Sequence, residues 1–252
     1  MITDWTFYFA AIPAVVLLGL SKGGFSGLGM ISLPLMVMVV PPLQGAAIML
    51  PILIVQDVVS IWAFRKTWSL RPLLIFMPGA LIGMGLAALL ASRVSNAMVE
   101  LAVGVIAAIF VVMYWLRRSP ADAPGKPAQI GPGLAWGTVG GFTSFLANAG
   151  GVPFQAYAVP LRLPPMVFAG TAAVLYGVLN WIKFGFFFAM GQLSADNLAT
   201  SAILFPLAIV ATLGGVWLVR RVSARHFYRI VTTLTFALGM KLIWDGGSQL
   251  YR

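Results

Sequence analysis

Three charged side chains fall where a membrane would make charge costly. Asp57 and Lys183 lie inside long apolar stretches, and Lys22 sits where one such stretch breaks. A lysine near the centre of a membrane helix costs about 2.5–3.5 kcal/mol, so a cation kept there needs a partner. For Lys183 that partner could be Asp57 or an anion that the protein carries. Asn180 precedes Lys183 by three residues, on the same helical face, and adds a neutral hydrogen-bonding group. Asp57 could equally neutralise Lys22, or hold a proton.

Lys22 belongs to Gly19-Leu20-Ser21-Lys22-Gly23-Gly24-Phe25-Ser26-Gly27-Leu28-Gly29, five glycines in eleven residues. Each glycine weakens a helix by roughly 1 kcal/mol, so the backbone is expected to open here. An opened helix presents free N–H groups, and a new helix start carries partial positive charge, a combination that binds anions. Ser21, Lys22, Gly23, Gly24 and Ser26 are the candidate contacts of this half. The same glycines would also allow close helix packing, and Lys22 could simply reach the water interface. The device recurs without a lysine at Gly140-Gly141-Phe142-Thr143-Ser144-Phe145-Leu146-Ala147-Asn148-Ala149-Gly150-Gly151-Val152-Pro153. Thr143, Ser144, Asn148, Gly150 and Gly151 are the candidates there; the polar ones could instead bond neighbouring helices.

Other chemistry lacks its residues. Cysteine is absent, and the one histidine, His226, sits among arginines. The six acidic residues, Asp4, Asp57, Glu100, Asp122, Asp196 and Asp245, include no pair close in sequence. No metal cluster, nucleophile–base pair or Walker A motif can be assembled. We therefore expect no catalytic residue, no metal, no cofactor and no enzymatic activity.

The elements that position these residues must be membrane helices. Hydrophobic residues make up 60% of the 252 and charged residues 9%, against about 25% charged in soluble domains. The net charge of +10 would suggest nucleic acid in a soluble protein. Here the cations fall between apolar runs, where they report topology. The N-terminus has Asp4 and no Lys or Arg before its first apolar run, unlike a secretory leader, and is read as a mature span.

Apolar segments run at about 5–20, 24–40, 43–64, 72–92 and 97–116, then 133–148, 150–162, 165–190, 198–219 and 227–245. The Pro- and Gly-rich stretch 117–132 separates a first transmembrane repeat, 1–116, from a second, 133–252. Segments 24–40 and 150–162 are short and interrupted, as broken or re-entrant helices are. The halves match: Gly23–Gly29 with Gly140–Leu146, Pro41-Pro42 with Pro164-Pro165, Asp57 with Asn180, and Arg93-Val94-Ser95 with Arg221-Val222-Ser223. Their basic loops alternate, since Arg65, Lys66 and Arg71 correspond to a loop holding only Asp196. Arg93 and Glu100 correspond to a turn with Arg220, Arg221, Arg225 and Arg229. By the positive-inside rule the repeats are inverted. The expectation is an all-α polytopic bundle of about five plus five segments, with the linker in the cytoplasm and both termini outside. Two parallel four-helix halves, with the short segments failing to cross, are the alternative. Trp5, Trp62, Trp68, Trp115 and Trp244 are expected as interfacial anchors. Inverted repeats with broken helices are the architecture of secondary transporters, whose sites lie near the midplane.

At these residues the sequence resembles the sulfite exporter TauE/SafE family of membrane permeases, over nearly the whole chain. The resemblance rests on Gly19-Leu20-Ser21-Lys22-Gly23-Gly24-Phe25, on Gly141-Phe142-Thr143-Ser144 with Ala149-Gly150-Gly151, and on Gly170-Thr171 followed by Asn180 and Lys183. Related sequences often carry His near Asn148 and Pro near Val152, where this chain departs. The resemblance implies export of sulfite, sulfoacetate or related organosulfonates across a bacterial inner membrane. The expected partners are a small anion and the lipid bilayer, with a homodimer open and no nucleic acid. An anion channel and a non-transporting membrane scaffold are the rival readings.

Overall fold

The computed structural model describes residues 2, 4–25, 28–90, 93, 95–116, 125–189 and 193–250. Ser26, Val94 and residues 117–124 of the linker lie outside the described residues. Among those described there are helices and turns but no strand, as expected for an all-α polytopic membrane protein. Six helices are long and apolar enough to cross a membrane. The chain divides into two compact units, Met1–Trp68 with Ala169–Val222 and Ser69–Phe168 with Ser223–Arg252. Each unit therefore draws helices from both halves of the sequence.

The first unit holds α1 (Trp5–Lys22), α2 (Ser32–Val37), α3 (Pro42–Phe64), most of α8 (Pro165–Ala189), and α9 (Ala195–Arg221). Asp4 caps α1, accepting from Thr6 N at 3.0 Å and from Thr6 Oγ1 at 2.6 Å, bonds that hold its carboxyl below the usual range and satisfy an otherwise orphaned helix donor. Phe7, Ala11, Ala14, Val15 and Leu18 form the buried stripe of α1, packed with Ile48, Ile52 and Leu53 of α3 and Leu204 and Ala208 of α9. Ile2 N donates to Thr200 Oγ1 at 3.2 Å and Gln44 Nε2 to Asn197 Oδ1 at 3.5 Å. So α1, α3 and α9 all begin at one end and run parallel. The segment between Lys22 and Pro42, a 3-10 turn at Leu28–Ile31 followed by α2, must carry the chain back to that end. It returns the chain even though neither piece is long enough to span a bilayer alone.

The second unit holds α4 (Leu70–Leu90), α5 (Asn96–Leu116), α6 (Ile130–Ala147), α7 (Gly151–Ala158) and α10 (Ala224–Leu250). Here too a short segment brings the chain back. The start of α7 packs on the end of α6, with Gly150 against Ser144, whereas Tyr157 near its end lies on Gly133 at the start of α6. Beyond α7, Pro160 O accepts from Lys126 N at 3.0 Å, next to the start of α6.

Association between membrane helices depends on close packing of small residues, because lipid is as apolar as the helices are. In α1 and α9, Gly19 meets Ala211 and Thr212, and a Cβ at Gly23 would come within 2.5 Å of Gly215 Cα. In α6 and α4 the same four-residue spacing recurs: Gly137 and Gly141 lie on the backbone of Phe76 and Ala80, and Gly79 and Gly83 on that of Leu134 and Thr138. Both pairs run parallel. Each joins the first helix of one sequence half to the fourth of the other. A side chain at Gly83 would collide with Thr138 O, whereas one at Gly85 meets nothing within 4 Å. Gly83→Val is therefore expected to destabilise the detergent-solubilised protein by about 3 kcal/mol or more, with Gly85→Val close to wild type in a thermal-unfolding assay. Equal unfolding temperatures would overturn this packing.

The helices that correspond between the halves run antiparallel where they pack. Along α3 and α8, Gly170 meets Thr67, Gly177 meets Ile61 and Asn180 meets Asp57. Along α5 and α10, Trp115 Nε1 donates to Thr232 Oγ1 at 3.4 Å, Gly104 meets Gly239, and Gly246 meets Ala97. Pro42 and Pro165 open α3 and α8, where proline's missing N–H costs nothing. The tryptophans singled out above, Trp5, Trp62, Trp68, Trp115 and Trp244, are exposed near helix ends.

Candidate functional site

The polar centre of the first unit is built by three helices. On α3, Asp57 is fully buried, with Gln56 and Ser60 beside it. Lys22, the last residue of α1, reaches it with Nζ 2.6 Å from Oδ1. Asn180 of α8 donates from Nδ2 to Oδ2 at 2.7 Å. Both carboxylate oxygens are thereby engaged, the condition under which a buried charge is tolerated. Ser60 Oγ donates to Lys22 O at 2.9 Å, fixing the end of α1 against α3. Lys183 is 5% exposed and lies within electrostatic range of both Lys22 and Asp57. Lys22, Lys183 and Asp57 thus share one buried region.

Depth follows from the helix rise. Gly170 packs against the turn after α3 at Thr67, and Asn180 lies ten residues further along α8, about 15 Å at the α-helical rise. That is half of a hydrocarbon core of about 30 Å.

The glycines around Lys22 do something other than expected. Gly23 N donates to Gly19 O at 2.7 Å, Gly24 N to Ser21 O at 3.2 Å and Phe25 N to Leu20 O at 3.2 Å. These N–H groups close the C-terminus of α1, so they are not open donors for an anion. Gly24 has φ of 131°, a conformation that only glycine adopts without strain. Gly23 sits where any side chain would strike Gly215. The two glycines end the helix and let it approach α9, leaving Lys22 at a helix C-terminus whose dipole favours a cation. Ser21 packs beside Gly29 of the returning segment.

In the second unit Thr143, Ser144, Asn148, Gly150 and Gly151 come together where α6 ends and α7 begins. Asn148 terminates α6 in the left-handed region, φ 51°, which asparagine tolerates better than most residues. Its N–H and that of Ala149 both turn back to Thr143 O. Thr143 Oγ1 donates within its own helix, to Val139 O at 2.8 Å, so its hydroxyl offers lone pairs to a neighbour. Thr143 and Thr138 also line a mostly apolar cavity of about 310 Å³ with Met98, Val103 and Phe142. Gly151 starts α7 behind Gly150, which has no side chain to cap the helix, so the first-turn N–H groups of Gly151 and Val152 point out of the helix end.

Sequence reasoning missed Tyr176, whose ring lies 5.4 Å from Lys22 Nζ, and Ser60. A signal for Tyr176 existed: Tyr176, Asn180 and Lys183 follow i, i+4, i+7 spacing on one face of α8. Asn180→Ala leaves Asp57 Oδ2 without its donor and is expected to lower stability by about 1–3 kcal/mol. Equal thermal unfolding of wild type and Asn180→Ala in detergent would contradict that bond.

The family model of the sulfite exporter TauE/SafE matches residues 11–242. The chain belongs to this family. No curated protein and no solved structure matches it. As a TauE/SafE protein the chain is a multi-pass membrane permease for sulfite-type anions and not an enzyme. Its partners are a small anion and membrane lipid.

Proposed function

We propose that this chain exports small sulfur-containing anions, such as sulfite, sulfoacetate or related organosulfonates, across the bacterial inner membrane by alternating access. The observation that carries the reading is the buried group of Lys22, Lys183, Asp57 and Asn180. An anion entering it meets the two lysines, while Ser21 and Asn180 of the same unit offer hydrogen bonds to its oxygens.

An inverted duplication, 1–116 and 133–252 joined by the 117–132 linker, supports the alternating part. Inverted repeats require corresponding helices to run antiparallel, as α3 with α8 and α5 with α10 do. Asp57 and Asn180 occupy corresponding positions and touch each other, as residues beside a pseudo-two-fold axis would. Two symmetry-related conformations of such a fold open the site to opposite sides.

Charge distribution supports the orientation. In the first unit Asp4 and Asp196 are at the end where α1 and α9 begin, and Arg65, Lys66, Arg220 and Arg221 at the other. In the second, Arg71, Lys126, Arg162, Arg225 and Arg229 cluster at the end where α4, α6 and α10 begin, and Lys241 pairs with Asp245 toward the opposite one. The basic ends face the cytoplasm and both termini the periplasm.

The test is flux of labelled sulfite in proteoliposomes with trans-side unlabelled sulfite. Acceleration by the trans anion identifies a carrier; linear, unaccelerated flux identifies a channel and overturns alternating access.

A further inference from the structure

We propose that the second unit binds an anionic phospholipid headgroup where α4, α6 and α10 begin, through Arg71, Lys126, Arg162, Arg225 and Arg229. The inference is independent of the transport reading above. Its ground is the position of these cations relative to the helix ends.

Positive-inside topology alone accounts for cations at one end of each unit. It does not decide which helix termini carry them, and there the two units differ. In the first unit Lys22 ends α1, Arg65 and Lys66 follow α3, and Arg220 and Arg221 close α9. All lie at C-termini, whose partial negative charge favours them. In the second, Arg71 is the second residue of α4 and Arg225 the second of α10, with Arg229 one turn on. Lys126 and Arg162 come just before α6 and α8. These are N-termini, whose partial positive charge repels a cation and attracts an anion. Among the described residues the side-chain carboxylates of this unit, Glu100 and Asp245, sit toward its opposite end.

The cations are also held close together. Arg162 sits in the turn between α7 and α8 with φ of 50°. That turn is tied on both sides: Pro160 O accepts from Lys126 N at 3.0 Å, and Leu163 O accepts from the Tyr228 hydroxyl, next to Arg229. Lys126, Arg162 and the basic start of α10 therefore meet in one place. Arg71 stands within electrostatic reach of Tyr157, whose buried hydroxyl bonds to no described residue and is a donor left for an incoming oxygen. Arg71, Lys126, Arg225 and Arg229 are exposed, and beside them Leu70 and Leu74 of α4, Ile130 and Leu134 of α6 and Ile230 of α10 are exposed as well. Clustered cations bordering exposed apolar side chains match a phosphodiester joined to acyl chains. A free phosphate would use only the charged part.

The experiment is thermal unfolding of the full chain in detergent during titration with phosphatidylglycerol, phosphatidylcholine or inorganic phosphate. Phosphatidylglycerol should raise the unfolding temperature, and the other two should leave it near the lipid-free value. Arg225→Gln with Arg229→Gln should weaken the apparent phosphatidylglycerol affinity by about thirtyfold. Arg71→Gln with Lys126→Gln should do the same, which keeps the test open if the first pair does not fold. Removing two cations from a C-terminus in the first unit, by Arg65→Gln with Lys66→Gln, should leave the affinity close to wild type. Equal stabilisation by phosphatidylcholine, or equal weakening by Arg65→Gln with Lys66→Gln, would overturn the proposal. Stabilisation by inorganic phosphate as strong as that by phosphatidylglycerol would mark a site for a free anion and overturn the lipid assignment. None of these results bears on anion transport, which is read from flux.

Discussion

Lys183→Met is expected to abolish saturable anion transport in protein that still folds. The lysine is 5% exposed on α8 beside Lys22 and Asp57. Removing it deletes a buried basic group that would attract an anion. One charge pair about 4 Å apart is worth about 4 kcal/mol at an effective dielectric of 20. Loss of even half of that lowers affinity by roughly thirtyfold. A purely structural lysine behaves in the opposite way: its loss would lower the unfolding temperature and spare flux. Flux and thermal unfolding measured on the same preparation separate the two roles. Unchanged flux in Lys183→Met would contradict the role assigned to it.

Asp57→Leu is expected to produce the largest loss of stability of any substitution in the site. It leaves Lys22 without the oxygen 2.6 Å away and Asn180 Nδ2 without its acceptor, both in the low-dielectric interior. Breaking a buried pair from one side costs about 3–5 kcal/mol, whereas replacing both partners with apolar groups is often neutral. The double variant Lys22→Met with Asp57→Leu should therefore recover most of the stability lost in Asp57→Leu alone. Additive losses in the double-variant cycle would mean that the 2.6 Å pair carries no coupling energy and does not organise the end of α1.

Much of this arrangement was legible in the sequence, and the gaps have physical causes. The two interruptions at 24–40 and 150–162 stood out because clustered glycine and proline in a short apolar stretch disfavour a continuous helix, and both prove to be short helical segments that return the chain. The register that set Asp57 opposite Asn180 came from the flanking proline pairs, and the two residues are in contact. Hydrophobic periodicity, however, reports which face of a helix is buried and not against which neighbour. Nothing in it indicated that α1 packs on α9 and α6 on α4 across the two sequence halves. The glycines after Lys22 were read as an opening that frees N–H groups. Glycine is as suited to ending a helix as to starting one, and here Gly23, Gly24 and Phe25 bond back into α1. The choice of Lys22 as the direct partner of Asp57 also needed coordinates, since Lys22 and Lys183 were equally plausible from spacing.

We propose that this chain is an electrogenic anion carrier built around the buried group of Lys22, Lys183, Asp57 and Asn180. The most direct test is uptake of labelled sulfite into proteoliposomes whose membrane potential is set by a potassium gradient. The potential is worth about 2.3 kcal/mol per elementary charge per 100 mV. An inside-positive potential should drive saturable, protein-dependent uptake, and an inside-negative potential should suppress it. Uptake that ignores the potential, or that no protein is needed to produce, would contradict the account.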